Sequence, residues 1–407
     1  MNYQHVRLIL MIKSGVGVSA NAESYVAGVD ACQLAITELN GAEPKFVMVF
    51  ASVAFTQTDV LRGVRSVAPG ALLVGSSSSG EIATAGPLAK HSVVVMAVSG
   101  DDLKVASGRG NIKKEGPIAA GHEAAKQVKD ALGDALKLFI MMPDVLVGNG
   151  ADTVRGVQEI VGKNFPIVGG ASGDDFRFKE TFQYLNDEVT SGTVVCLGLG
   201  GSFSFGIGVK HGWLPIGIPR KVTKAEGAVV HEIDGKPAID LYRDYFGEAE
   251  TEKLRGETLA PLAVLYPIGI RRPESEEFLI RDPMSVEEHG SNTCAAEVPE
   301  GSEIQLMIGS QDDAIRVAKE AAEHAKEDLQ GMPPAAIIIF NCIARDKLFG
   351  DRAGDEISAI QNVLGATVPL AGFYTYGEQA PIGGEVRDVK RCNPQFHNET
   401  VVILALG

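Results

Sequence analysis

Paired cysteines are missing from this chain of 407 residues. Its five cysteines, Cys32, Cys196, Cys294, Cys342 and Cys392, are an odd number, lie far apart and form no C-x-x-C motif. That argues against a disulfide framework or a zinc knuckle and favours a reducing cytoplasm. No dense basic run occurs: 37 Lys and Arg stand against 52 Asp and Glu, a formal net charge of −15. Nucleic acid and anionic membrane are poor partners for such a chain, because both demand clustered positive charge. Long hydrophobic runs are also absent. Leu8 to Ile12 is too short for a signal-peptide core. Thr193 to Val209, TVVCLGLGGSFSFGIGV, is broken by Gly and Ser and reads as two buried strands rather than a membrane span. There is no H-E-x-x-H, no histidine pair at metal-ligand spacing and no G-x-S-x-G elbow. The expectation is a protein that is not an enzyme.

What the chain does contain is a repeat. Three apolar runs match one another: SVVVMAV from Ser92, TVVCLGL from Thr193 and TVVILAL from Thr400. Continuous runs of this kind suit strands buried on both faces. Upstream of each is a glycine turn with an acid: VGSSSSGE (Gly75, Glu81), VGGASGDD (Gly169, Asp175) and AGFYTYGE (Gly372, Glu378). In all three the acid follows the leading glycine by six residues. Further upstream come the apolar runs KFVMVF, KLFIMM and AIIIF. Each follows a helical pattern, such as Tyr25, Val29, Cys32, Ile36 and Leu39. A shorter helix sits between the two strands, marked by Val60 and Val64, by Val154 and Val157, and by Ile357 and Ile360.

The fold class is therefore α/β, with mixed sheets built from pseudo-repeated helix–strand–helix–strand–turn–strand units near 23–98, 119–199 and 312–406. Residues 200–311 do not fit the unit. They show a turn at Asp234-Gly235, a helix from Pro237 to Phe246 and a charged linker from Gly247 to Gly256. A boundary where Pro and Gly cluster near residue 215 divides the chain into α/β domains at 22–215 and 216–407.

Glycines after a buried strand let backbone approach a ligand closely. A phosphate loop would follow them with lysine; here Glu81 and Glu378 follow, so an ammonium group is the natural guest. The backbone amides and hydroxyls of Ser76 to Ser79 suit a carboxylate, and the two together suit an amino acid. The bland reading is that the three acids cap the next element. FNCIARDKLFG, from Phe340, ends a buried strand, where open α/β sheets place ligands. Cys342 there is either a small core residue or a pocket residue. Arg345 either clamps a carboxylate or pairs with Asp346 or Asp351.

VGSSSSGE, IVGGASGDD, HEIDGKPAIDLY (His231 to Tyr242), FNCIARDKLFG and GFYTYGEQAPIGG, in this order, resemble the FIST family, named for F-box and intracellular signal transduction proteins. The resemblance runs from about Ala22 to Leu406 and implies an N-terminal and a C-terminal FIST part. It implies a sensory protein that binds a small, amino-acid-like ligand and stands alone, without an output domain. Signalling partners such as a histidine kinase or a cyclic-dinucleotide enzyme are implied with it. Carried over position by position, the ligand would lie among Gly75, Ser76, Glu81, Gly169, Gly170, Asp175, Cys342, Arg345, Tyr376, Gly377 and Glu378. No cofactor is expected on this reading. Some relatives are described as haem-binding nitric-oxide sensors, and haem would need His231 or His211 as axial ligand. A pure scaffold without a ligand is the third alternative.

Overall fold

The computed structural model describes residues 12–88, 91–254, 262, 264–272, 275–388 and 390–407. Residues 8–11 of the run Leu8 to Ile12 and the last part of the expected linker, residues 255–256, lie outside them. The repeat is present three times, and each copy starts one strand earlier than the apolar runs indicate. Unit one runs Ile12–Ser19, helix Ser24–Glu38, Phe46–Ser52, helix Gln57–Val67, Leu72–Ser78 and Val93–Gly100. Unit two runs Leu103–Asn111, helix Pro117–Leu132, Leu136–Pro143, helix Gly150–Val161, Ile167–Gly170 and Thr193–Gly201. Unit three opens with Phe205–Lys210 and resumes with helix Gln311–Asp328, Ala336–Cys342, helix Ala353–Leu364, Leu370–Thr375 and Val401–Leu406. In every unit the two middle strands are parallel and the last strand is antiparallel to the first of them. The sheets are mixed, as the α/β reading requires. Thr193–Gly201 and Phe205–Lys210 are two buried strands, but they belong to different sheets.

The strands alternate between two cores. Phe46, Met48 and Phe50 face Leu138, Ile140, Met142, Ile338 and Phe340 in a central core where the three sheets meet. Val47, Val49 and Ala51 point the other way, under the unit-one helices. Burial on both faces explains why these strands read as unbroken apolar runs.

The opening strand of each unit carries a G-x-G: Gly15 and Gly17, Gly108 and Gly110, Gly206 and Gly208. A Cβ on Gly17 would overlap the Ala31 carbonyl oxygen, one on Gly110 that of Ala120, and one on Gly208 that of Ala321. The missing side chains let the first helix of each unit lie against its own edge strand, small residue on small residue. That contact turns the helix. In Ser24–Glu38 the buried face is Ala27, Gly28, Ala31, Cys32 and Ala35, whereas Tyr25 is 41% exposed. The apolar stripe beginning at Tyr25 is thus only partly the packing face: Cys32 and Leu39 are buried, Val29 and Ile36 half-buried, and Tyr25 is outside it.

Between the end of Phe205–Lys210 and helix Gln311–Asp328 an antiparallel β insertion is built around Trp213–Glu226 and Glu303–Gly309. Asp234 (φ 51°) and Gly235 (φ 73°) make its tight hairpin turn. Pro237 ends a short strand there, so the helix begins later, at Asp240. The first part of the expected charged linker, Glu248–Glu252, is helical.

Each unit also gives away a hairpin. The segment after the unit-one turn, Glu81–Ala83, pairs with Leu370–Thr375 of unit three. Gln183–Leu185 of unit two pairs with Leu72–Ser78 of unit one. Glu378–Pro381 of unit three pairs with Ile167–Gly170 of unit two. The exchange is cyclic and brings the three glycine turns together.

Candidate functional site

The three turns bond to one another through their backbones. Gly173 N–H donates to Ser77 O (3.0 Å) and Asp175 N–H to Ser78 O (3.0 Å). Ser79 N–H donates to Tyr374 O (3.0 Å) and Tyr374 N–H to Gly80 O (2.8 Å). Ala171 N–H donates to Gly377 O (2.7 Å), closing the ring. Protein fills the space beside the glycines. A Cβ on Gly75 would overlap Val49 O, on Gly169 Met141 O, on Gly170 the Thr375 methyl, and on Gly377 the Phe396 ring. Ser76 is wholly buried in the same strand, in register with Gln183.

Glu81 and Glu378 hold equivalent places, and the third equivalent is Gln183 rather than Asp175. In register, Glu81 faces Phe373, Gln183 faces Ser76 and Glu378 faces Gly170. All three are wholly buried. Glu81 is hydrogen-bonded to the hydroxyls of Ser78 and Ser92. Glu378 pairs with Thr375 Oγ1 and accepts from the Thr400 hydroxyl (2.7 Å) and N–H (3.2 Å). Gln183 donates to Ser172 Oγ (3.1 Å) and accepts from the Thr193 hydroxyl (3.1 Å) and N–H (3.2 Å). Burial pushes the Glu81 carboxyl up to about 7 and the Glu378 carboxyl up to about 8. Asp175 sits elsewhere, at φ 56°, accepting from Ser52 Oγ at 2.8 Å. The equal spacing in sequence misaligns because the segment Asp174–Phe182 separates the middle turn from its hairpin strand.

Arg345 is wholly buried, but its partner is neither Asp346 nor Asp351. Its Nε (2.9 Å) and Nη2 (2.5 Å) both reach Glu356 Oε1, and its remaining donors go to the backbone oxygens of Ala314, His211 and Glu399. Nothing is left for a ligand carboxylate.

Cys342 and Tyr376 are the two expected residues that share a pocket. Cys342 ends the buried strand Ala336–Cys342, and Tyr376 stands in the third turn. With them come residues that repeat and motif do not mark: Phe176 and Phe178 from the segment after the middle turn, Asp282 and Met284 from the β insertion, and Asn398 from the last hairpin. The space holds about 50 Å³, room for a few heavy atoms, and its walls are mostly apolar. Asp174 builds one side. It accepts the N–H groups of Arg177, Phe178, Lys179 and Glu180 at 2.6–3.0 Å, and Tyr376 donates its hydroxyl to the same carboxylate. The Phe178 ring thereby stacks on Tyr376, with centroids 4.5 Å apart. At the floor, Asn398 Oδ1 and Asp282 Oδ1 are buried and meet no donor among the described residues. Asp282 lies against Glu399, a residue held at φ 62°. Burial raises the Asp282 carboxyl to about 7, and burial with the neighbouring Asp282 raises Glu399 well above the carboxylate range. Burial and the acids Glu378 and Glu399 push the Cys342 thiol well up.

His211 offers no room for haem. His211 Nδ1 accepts the Trp213 N–H at 3.0 Å, and the cavity beside the ring is about 10 Å³, far too small for a porphyrin. Burial takes its pKa down to about 4. His231 Nδ1 pairs with Ser291 Oγ at 3.0 Å within the β insertion.

The fold is thus three α/β units and a β insertion, with a small pocket where they meet. The FIST N domain profile matches residues 45–236 and the FIST C domain profile residues 238–381. The chain belongs to the FIST family, whose domains are sensory and signal-transduction modules. It is 26% identical over 379 residues to an uncharacterised protein of Mycobacterium tuberculosis, covering 92% of this chain and 96% of that one. It is 29% identical over 195 residues to an uncharacterised protein of Methanocaldococcus jannaschii, spanning 46% of this chain and 38% of that protein. Among solved structures, a cyanuric acid hydrolase from A. caulinodans aligns over 97% of this chain and 99% of its own, at a TM-score of 0.38 and 8% identity. At that distance the likeness transfers nothing about activity. Among the described residues, no helix is long and apolar enough to cross a membrane.

Proposed function

We propose that this chain is a sensory protein that binds a small organic ligand in the pocket between the turn ring and the β insertion. The observation carrying this is the pair of unpartnered buried oxygens, Asn398 Oδ1 and Asp282 Oδ1, in a cavity otherwise lined by apolar side chains. Buried polar atoms without partners are costly, and a ligand donor relieves that cost. The protein acts by binding and not by turnover: a thiol pushed so far up is a poor nucleophile at neutral pH. One wall of the pocket belongs to the insertion and the other to the threefold core, so occupancy bears on how the two sit together. Arg155 of the unit-two helix ties them a second time, reaching both oxygens of Glu297 at 2.5 and 2.9 Å. A change at this seam is what a separate partner, such as a histidine kinase or a cyclic-dinucleotide enzyme, would read.

Thermal unfolding against a panel of small metabolites tests the reading, with Ala295→Phe as the filled-pocket control. Ala295 lines the cavity and is partly exposed, so the larger side chain blocks the space without entering a core. Ligands that raise the melting temperature of the wild type are expected to lose that effect in the variant. A ligand that stabilises both equally binds elsewhere and overturns the proposal.

A further inference from the structure

The geometry points to a compact primary ammonium ion, and not a zwitterion, as the ligand of this pocket. The inference rests on the functional reading above and adds to it the chemical class. Its floor presents buried oxygens without a partner. Among the described residues Asn398 Oδ1 and Asp282 Oδ1 meet no donor in the chain's hydrogen-bond network, and behind Asp282 the Glu399 carboxyl is hydrogen-bonded to the Asp282 carboxyl and meets no other donor. Asn398 is 2% exposed and Glu399 wholly buried, so bulk water does not serve them. An ammonium group brings three donors and needs no acceptor capacity of its own. A carboxylate is in the opposite position: among the described residues, no Lys, Arg or His lines the cavity. The two nearby guanidinium groups are turned away. Arg281 donates to the carbonyls of Glu297, Ile280 and Phe396, and Arg345 is held by Glu356.

The walls make the second, independent observation. Phe176, Phe178 and Tyr376 present three aromatic rings to one small space, Phe178 stacked on Tyr376 and edge-on to Phe176 at 4.9 Å. Ring faces attract cations, most strongly where water is excluded. One of these rings already receives a cation: Lys347 Nζ lies 5.2 Å from the Phe176 centroid. Aromatic walls over a carboxyl floor, in a space of about 50 Å³, suit an amine with a short branched alkyl tail.

Three probes separate the alternatives: isobutylamine, valine and isobutanol. They share the branched alkyl tail and differ in head group. Binding is read by NMR titration of the wild type, Asp282→Asn, Phe178→Ala and Ala295→Phe at neutral pH. Isobutylamine is expected to bind the wild type at least about tenfold more tightly than valine or isobutanol, the scale of a charge-assisted hydrogen bond. Asp282→Asn should remove most of that preference. Phe178→Ala, at a residue 38% exposed and so safe for folding, should weaken the amine several-fold. Valine binding as tightly as the amine overturns the assignment, as does isobutanol; in either case loss of binding in Ala295→Phe leaves the pocket itself standing. Failure of all three probes to bind the wild type overturns the assignment, and failure of every ligand in the wider panel overturns the pocket with it.

Discussion

Gln183 and Glu378 are the same residue in structural terms: each opens the strand its unit donates, closes on a turn hydroxyl and accepts from the threonine at the start of the last strand. A neutral carboxyl reproduces the amide pattern. Thr375 Oγ1 lies against Glu378 Oε1 and 3.3 Å from Asn341 O, as Ser172 Oγ lies against Gln183 Nε2. Burial lifts the Glu378 carboxyl to about 8 from an unfolded value near 4.3. The folded chain then holds a proton that the unfolded chain has lost. The contribution to stability is complete below pH ~4.3 and is lost as pH rises through about 8, at roughly 1.4 kcal/mol per pH unit within that window. Glu81 behaves likewise up to about 7. Glu378→Gln should therefore melt almost as the wild type does at pH 5 and above it at pH 9. Parallel melting curves against pH in the two proteins would mean that the carboxyl is ionised in the fold.

Arg345 and Glu356 form an ion pair with neither side chain exposed. Arg345→Met strands the Glu356 charge in the interior and should cost about 3–5 kcal/mol in urea unfolding. Adding Glu356→Leu removes the stranded charge and should restore much of the loss. A single variant as stable as the wild type would show that the pair is dispensable.

The G-x-G edges predict a contrast between two glycines. Gly208→Ala drives a Cβ into the Ala321 carbonyl and should cost roughly 1–3 kcal/mol. Gly354, in helix Ala353–Leu364, has nothing within 4 Å of a Cβ, so Gly354→Ala should stabilise by about 0.5–1 kcal/mol. Denaturant midpoints read both signs.

Cys342 is 2% exposed and its thiol is pushed well up, so iodoacetamide at pH 7.5 should leave it unmodified in the folded protein and label it in urea. Rapid labelling of the native thiol, read by peptide mass spectrometry, would reopen a nucleophilic role.

The fold's strands were legible because burial on both faces demands apolar runs, and Phe46–Ser52, Ala336–Cys342 and Val401–Leu406 have no other periodicity to hide in. The edge strands were not. KSGVGVS owes its place to missing side chains, and glycine carries no hydropathy signal. Counting residues from the leading glycine pointed to Asp175, whereas sheet register selects Gln183. Sequence spacing does not see a loop such as Asp174–Phe182 leave the sheet and return. Cys342 and Tyr376 were reachable because they end a strand and a turn. Asp282 and Asn398 come from an insertion and a hairpin with no repeat to mark them. The Phe-Arg-Phe at 176–178, two rings in a polar stretch after GDD, was the available hint.

The passing of hairpins from unit to unit has a bearing on how such a protein can change. Every parallel strand pair is completed by a strand from a different unit, and the donations return to their start. A piece comprising residues 45–236 would hold Glu81–Ala83 without its partner strand and leave the edge of Ile167–Gly170 bare. Bare edges invite association with other chains. The β insertion, between the first strand and the first helix of unit three, adds chain without breaking the cycle. Loss of a unit would leave a neighbouring parallel pair without the strand that completes it.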